Sequence, residues 1–157
     1  PQIAATVRVP VIAAGGIADA AGVRAAMALG AAGVQVGTAY LCADEATTTA
    51  LHRAALQSEA ARHTTLTNVF TGRPARGIVN RVMREMGGSG KTHFATGLSR
   101  AAPAFPLATN AMAPLRAAAE KAGRTDFSPL WSGQNATACL SAPAADITRA
   151  LAAGFKD

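Results

Sequence analysis

Two apolar runs, each closed by glycine, constrain this chain more than any other feature. The run at residues 9–14 ends at Gly15-Gly16-Ile17, and a second run, Gly33-Val34-Gln35-Val36, ends at Gly37-Thr38. Neither alternates polar with apolar residues, the pattern expected of parallel strands buried on both faces. Between them, Asp19 suits a helix N-cap, and Val23, Ala26, Met27 and Gly30 follow the i, i+3, i+4, i+7 spacing of a stripe facing a sheet, with Gly30 as a stop. Strand, helix and parallel strand form one βαβ unit. Two glycine loops at the ends of adjacent strands offer backbone N–H groups to a phosphate. In a (β/α)8 barrel the loops after the last two strands are where a phosphate most often sits. The competing reading of Gly15 and Gly16 is a tight βα turn that holds no ligand.

Residues 9–19 and Gly33-Val34-Gln35-Val36-Gly37-Thr38 resemble the final two barrel strands of the nitronate monooxygenases, formerly called 2-nitropropane dioxygenases. Phe70-Thr71-Gly72-Arg73-Pro74-Ala75-Arg76-Gly77 is similar to a loop of that family, and Leu130-Trp131-Ser132-Gly133-Gln134 to its Trp-x-Gly-Gln segment. The resemblance runs from about residue 9 to about residue 151. It implies an α/β chain that is the C-terminal part of an FMN-binding (β/α)8 TIM barrel, with a smaller, mainly helical domain over the flavin. Gly16, Gln35, Val36, Gly37 and Thr38 fall on family positions that bind FMN. Gly15, Gly16, Gly37 and Thr38 are expected to hold the phosphate by their backbone, with Gln35 toward the flavin.

The function implied is oxidation of alkyl nitronates by molecular oxygen to a carbonyl compound and nitrite. Electrons pass from the anionic nitronate to the flavin and then to oxygen, and the flavin carries the redox chemistry. A related FMN-dependent NAD(P)H reductase, of the enoyl-acyl-carrier-protein reductase or quinone reductase type, shares the phosphate loops and is the alternative enzyme reading. The Arg-Pro-Ala-Arg-Gly and Trp-Ser-Gly-Gln segments favour the monooxygenase.

Such a barrel takes about 250 residues, against 157 here, and only the first fifty or so read as barrel. The chain opens on Pro1-Gln2-Ile3 without an initiator methionine, so we read it as the C-terminal portion of a longer protein, with the barrel incomplete. The family's catalytic base is a histidine from the N-terminal part. No catalytic role is therefore given to His52, His63 or His93, which read as solvated or helix-end histidines. The punctuation gives the breaks, and the resemblance implies what they separate: residues 1–46, the last two βα units; 47–108, the smaller substrate-side domain; and 109–157, helices returning to the barrel.

Net charge is +6, and Arg73, Arg76, Arg81, Arg84 and Lys91 lie within residues 73–91. A nucleic-acid-binding module is the alternative from another functional class, but the cluster has no interleaved aromatics and matches no recognised module. Steering of an anionic cofactor and a small anionic nitronate accounts for the same charge, and so does an exposed arginine-bearing helix with no ligand. With hydrophobic residues at 50% and charged residues at 15%, the chain reads as a packed, α-rich soluble domain rather than a disordered one. No run approaches the ~18 apolar residues of a membrane span. Cys42 and Cys139 lack metal-ligand spacing and make a poor disulfide framework, which points to reduced thiols in a cytoplasmic protein. In that setting the glycosylation pattern Asn135-Ala136-Thr137 carries no meaning.

Gly88-Ser89-Gly90-Lys91-Thr92 ends like a nucleotide-binding P-loop, but Glu85 stands where the first glycine belongs and a helix precedes it where the motif requires a strand. A mobile glycine turn is the reading of residues 87–100. Further expectations are a helix at residues 48–61, an extended segment at 64–70, turns at Arg73-Pro74 and Arg76-Gly77, and a helix at 79–86. A helix capped by Thr109 or Asn110 should end at Gly123, and another should start at Pro143 and stop at Gly154. Trp131 reads as a core anchor, and Gln134 as a substrate-side candidate. Phe105-Pro106 stands where the family often has tyrosine before the proline, so no hydroxyl can act from that position.

Overall fold

The structure, a computed structural model, describes residues 1–87 and 98–155. The P-loop-like segment 88–92 and His93 lie outside the described residues. In chain order the elements are α1 (Gln2–Thr6), β1 (Ile12–Ala14), α2 (Ala20–Ala28), β2 (Gly33–Gln35), α3 (Ala50–Leu56), β3 (Thr64–Thr67), β4 (Ala75–Ile78), α4 (Arg81–Met86), α5 (Leu107–Lys121) and α6 (Ala144–Ala152). They divide into two compact units, residues 1–48 with 133–157 and residues 49–132.

In the first unit β1 and β2 pair in parallel, with Ile12 opposite Gly33 and Ala14 opposite Gln35. The strand starts two residues beyond Pro10, which has no N–H to give a ladder. The Asp19 carboxylate caps α2 by accepting from the Gly22 N–H at 2.7 Å. Val23 is fully buried and packs with Ala39, Ala43, Ile147 and Leu151, while Val36 is partly buried against the same cluster. Burying side chains of this size is worth about 1.5–3 kcal/mol each. Ile147 and Leu151, four apart on α6, therefore fasten the C-terminal helix to α2.

Pro143 precedes α6 as its N-cap but offers no side-chain cap. The Glu45 carboxylate supplies one, accepting from the Ala144 N–H at 2.8 Å, and its charge suits the positive end of the helix. The Tyr40 hydroxyl bonds Thr148 Oγ1 at 2.8 Å. The loop after β2 is thereby tied to α6. Gly154 does not simply stop that helix. It lies in a 3-10 turn, Ala153–Phe155, packed so closely on α2 that a Cβ there would stand 2.3 Å from the Ala20 carbonyl oxygen.

The second unit contains an antiparallel pair, Thr64 opposite Ile78 through Thr67 opposite Ala75. The turn expected at Arg76-Gly77 is thus corrected to a strand. Its pairing with β3, and the bridge from Gly77 to Trp131, override the poor strand preference of Arg and Gly. Val69, Phe70, Val82, Met83 and Met112 form this unit's core, with Trp131 edge-on to Phe70 at 5.6 Å and 88°. Because Met112 packs there, residues 109–132 fall in the second unit rather than with the C-terminal helix.

α5 begins at Leu107 with no side-chain cap, ahead of the expected Thr109 or Asn110, since the Thr109 hydroxyl is instead donated to the Phe70 carbonyl at 3.1 Å. The helix continues past Pro114 to Lys121, with Ala122 as its C-cap beside Gly123 at φ +70. Among the described residues, no helix is long and apolar enough to cross a membrane.

Candidate functional site

β1 runs out into Gly15 and Gly16, whose φ values of +95 and +73 place two consecutive residues in the left-handed region. A side chain would strain that backbone, and glycine adopts it freely. Successive N–H groups in such a turn form a concavity that suits anions. β2 ends beside it at Gln35, followed by Gly37 and the 3-10 turn Thr38–Cys42. The N–H groups of Gly16 and Gly37 donate to no acceptor among the described residues. A Cβ on Gly15, Gly16 or Gly37 would meet nothing within 4 Å. Each therefore borders open space.

That space is a cleft of about 170 Å³. It is smaller than the roughly 300 Å³ at which pockets enclosing a whole drug-sized ligand begin, so it suits one end of a long cofactor. Gly15, Gly16, Gln35, Gly37 and Thr38 line it together, as do Ala14 and Ile17. Val36 does not line it, because its side chain belongs to the core behind. Gln134 is exposed and does not line it either. Its neighbours Gly133 and Asn135 do, and the sequence alone singles out neither for the site. The Gly133 N–H donates to Thr38 Oγ1 at 2.9 Å, and Asn135 Nδ2 donates to the Gly16 carbonyl at 3.4 Å. The signal that points near them is the Trp-x-Gly-Gln segment, where the residues on either side of Gln134 face the cleft.

No side chain in the lining carries a charge. Backbone N–H groups, a hydroxyl and two amides are the donors, which is the donor set that holds a phosphate by oriented dipoles. The residues present thus fit the phosphate end of FMN. Among the described residues no group of His, Cys, Asp and Glu could hold a metal ion.

Behind the cleft, Cys139 Sγ donates to the Thr38 carbonyl at 3.1 Å. Burial, with Cys42 beside it, pushes the Cys139 thiol up to about 11. Both thiols are free. At neutral pH Cys139 is a protonated donor that steadies the Thr38 loop, not a nucleophile.

In the second unit His52 lies in the first turn of α3, as the helix-end reading expects, but its ring is half-buried rather than solvated. Its Nε2–H donates to the Trp131 carbonyl at 3.0 Å, since a carbonyl can only accept. Burial first, and Arg116 after it, lower its pKa against the raising effect of that bond, favouring the neutral ring. His63 is exposed. Three arginines of the basic cluster are engaged within this unit. Arg73 stacks over the Phe105 ring at 4.4 Å, Arg76 donates to the Thr64 carbonyl at 3.2 Å, and Arg81 pairs with Glu85 at 2.7 Å.

Residues 1–154 match the family model described as nitronate monooxygenase. The nitronate monooxygenase of Pseudomonas aeruginosa is 38% identical over 149 residues, covering 95% of this chain and 40% of its own length. A probable nitronate monooxygenase of Staphylococcus saprophyticus is 38% identical over 135 residues, covering 86% of this chain and 36% of its own. Among solved structures, nitroalkane oxidase from Streptomyces ansochromogenes matches with a TM-score of 0.81 at 38% identity, over 98% of this chain and 41% of that one. FabK from Thermotoga maritima matches with a TM-score of 0.68 at 27% identity, over 98% and 46%. The chain spans about two fifths of the length of the curated relatives it matches.

Proposed function

The chain belongs to the nitronate monooxygenase family, and from that premise we propose that it forms the FMN-phosphate end of a flavoenzyme that oxidises alkyl nitronates with molecular oxygen to a carbonyl compound and nitrite. In this reading the chain is the C-terminal part of a (β/α)8 barrel, and β1 and β2 are its last two strands. The observation that carries the proposal is the neutral cleft between the Gly15-Gly16 and Gly37-Thr38 loops, at the ends of adjacent parallel strands. Loops after the last two strands of such a barrel are a recurrent phosphate site.

FMN, when bound, supplies the electron-transfer chemistry with the nitronate and oxygen. This chain's part is to bind and orient. The N–H groups of Gly16 and Gly37 and the hydroxyl of Thr38 hold the phosphate, while Gln35, last residue of β2 and exposed in the cleft, reaches toward the rest of the cofactor. The small anionic nitronate and oxygen are the reaction partners, and no general base is assigned among these residues.

One other reading stays in view, a related flavin reductase that takes electrons from NAD(P)H and shares the phosphate loops. Reaction conditions separate the two. The full-length protein carrying this chain, given propionate 3-nitronate and oxygen, should release nitrite with no NADH added, because the substrate itself reduces the flavin. NADH-dependent flavin reduction with the nitronate left intact would overturn the monooxygenase reading and support the reductase.

A further inference from the structure

The two glycine loops account for two sides of the cleft, but Gly133 and Asn135 close a third, from a position more than ninety residues further along the chain. Their contacts are directional. Thr38 Oγ1 accepts from the Gly133 N–H at 2.9 Å. With that lone pair taken, the hydroxyl proton is left for an acceptor in the cleft. A Cβ on Gly133 would stand 3.3 Å from Thr38 Oγ1 and 3.7 Å from the Gly16 nitrogen, so any larger side chain would enter the space between the two loops. Asn135 Nδ2 gives one N–H to the Gly16 carbonyl in a long bond of 3.4 Å. The amide carries a second N–H. Drawing the Gly16 carbonyl toward Asn135 also keeps an oxygen with partial negative charge engaged rather than facing an anion.

We propose that Gly133 and Asn135 are the third side of the anion cradle: Asn135 donates a side-chain N–H to the phosphate, and Gly133 is the positioning residue that aims the Thr38 hydroxyl proton at it. This rests on the reading of the cleft as the FMN-phosphate site. The cradle contains no charged side chain, so recognition of the phosphate depends on the number and aim of its neutral donors, and Asn135 adds one that neither loop supplies.

The test uses the full-length protein carrying this chain, with FMN and riboflavin as probes, since riboflavin lacks only the phosphate. Binding is followed by flavin fluorescence, and folding of each variant by circular dichroism. Asn135→Asp places a negative charge against the phosphate. It should weaken FMN at least about tenfold, the loss expected when a hydrogen bond to a charged group is removed, with riboflavin affinity unchanged. Asn135→Ala adds no charge and should weaken FMN by a smaller factor, again with riboflavin unchanged; it decides the matter if the aspartate variant fails to fold. Equal losses for both flavins would mean that Asn135 only holds the loop, and no loss for either would mean that it does not reach the phosphate. Both results overturn the proposal while leaving the phosphate site standing. A wild-type protein that binds FMN no better than riboflavin would overturn the phosphate reading itself, and this inference with it.

Discussion

Gly133 and Asn135 enter the cleft because of where the chain returns, and no local pattern announces them. Gly15, Gly16, Gly37 and Thr38 are legible in the sequence as members of loops, since glycine directly after an apolar run marks the point where a strand gives way to a turn. Gln134 stands out as the polar residue of its motif, yet it is exposed and its two neighbours face inward. Val36 shows the same limit from the other side, because its side chain packs against the Val23 cluster. Gly37 offers the cleanest probe at this scale. Its φ is −117 and a Cβ would meet nothing within 4 Å, so a side chain there enters the cleft without straining the backbone. Gly37→Val should therefore lower FMN affinity by about tenfold or more through steric exclusion and loss of close backbone approach. Flavin titration of the full-length protein checks this, and undiminished FMN affinity would contradict the phosphate assignment.

Elements whose logic is local are readable in the sequence, and those decided by distant partners are not. The Asp19 cap and the Val23 stripe place α2 from its own residues. β4 cannot be seen the same way: Ala75–Ile78 carries Arg and Gly, and only its pairing with β3 and Trp131 makes it a strand. The start of α5 is hidden because Thr109 gives its hydroxyl to the Phe70 carbonyl rather than to its own helix. β1 has a consequence of its own. Among the described residues it pairs only with β2, and Val9 and Ile12, just before it and within it, are 68% and 55% exposed. An exposed apolar strand edge is a template for association. Residues 1–157 expressed alone should self-associate on size-exclusion chromatography, and the double variant Val9→Lys, Ile12→Lys should reduce it. A wild-type chain that elutes as a monomer at all concentrations would show that this edge is not adhesive.

At the scale of the molecule, the C-terminal residues are what turn two loops into a site. Cys139 bonds the Thr38 carbonyl, Gly133 bonds the Thr38 hydroxyl, and Ile147 and Leu151 fix α6 to α2, so the first unit is built from both ends of the chain. Sequence spacing shows the amphipathic stripes of α5 and α6 but not their partners, which is why it groups Met112 with the C-terminal helices although Met112 lies in the core of residues 49–132. The central claim is that this arrangement holds the phosphate of FMN, and a crystal structure of the full-length protein grown with FMN tests it most directly. The phosphate is expected between the Gly15-Gly16 and Gly37-Thr38 loops, within hydrogen-bond reach of the Gly16 and Gly37 nitrogens and Thr38 Oγ1. FMN bound with its phosphate elsewhere, and this cleft filled by water alone, would contradict it.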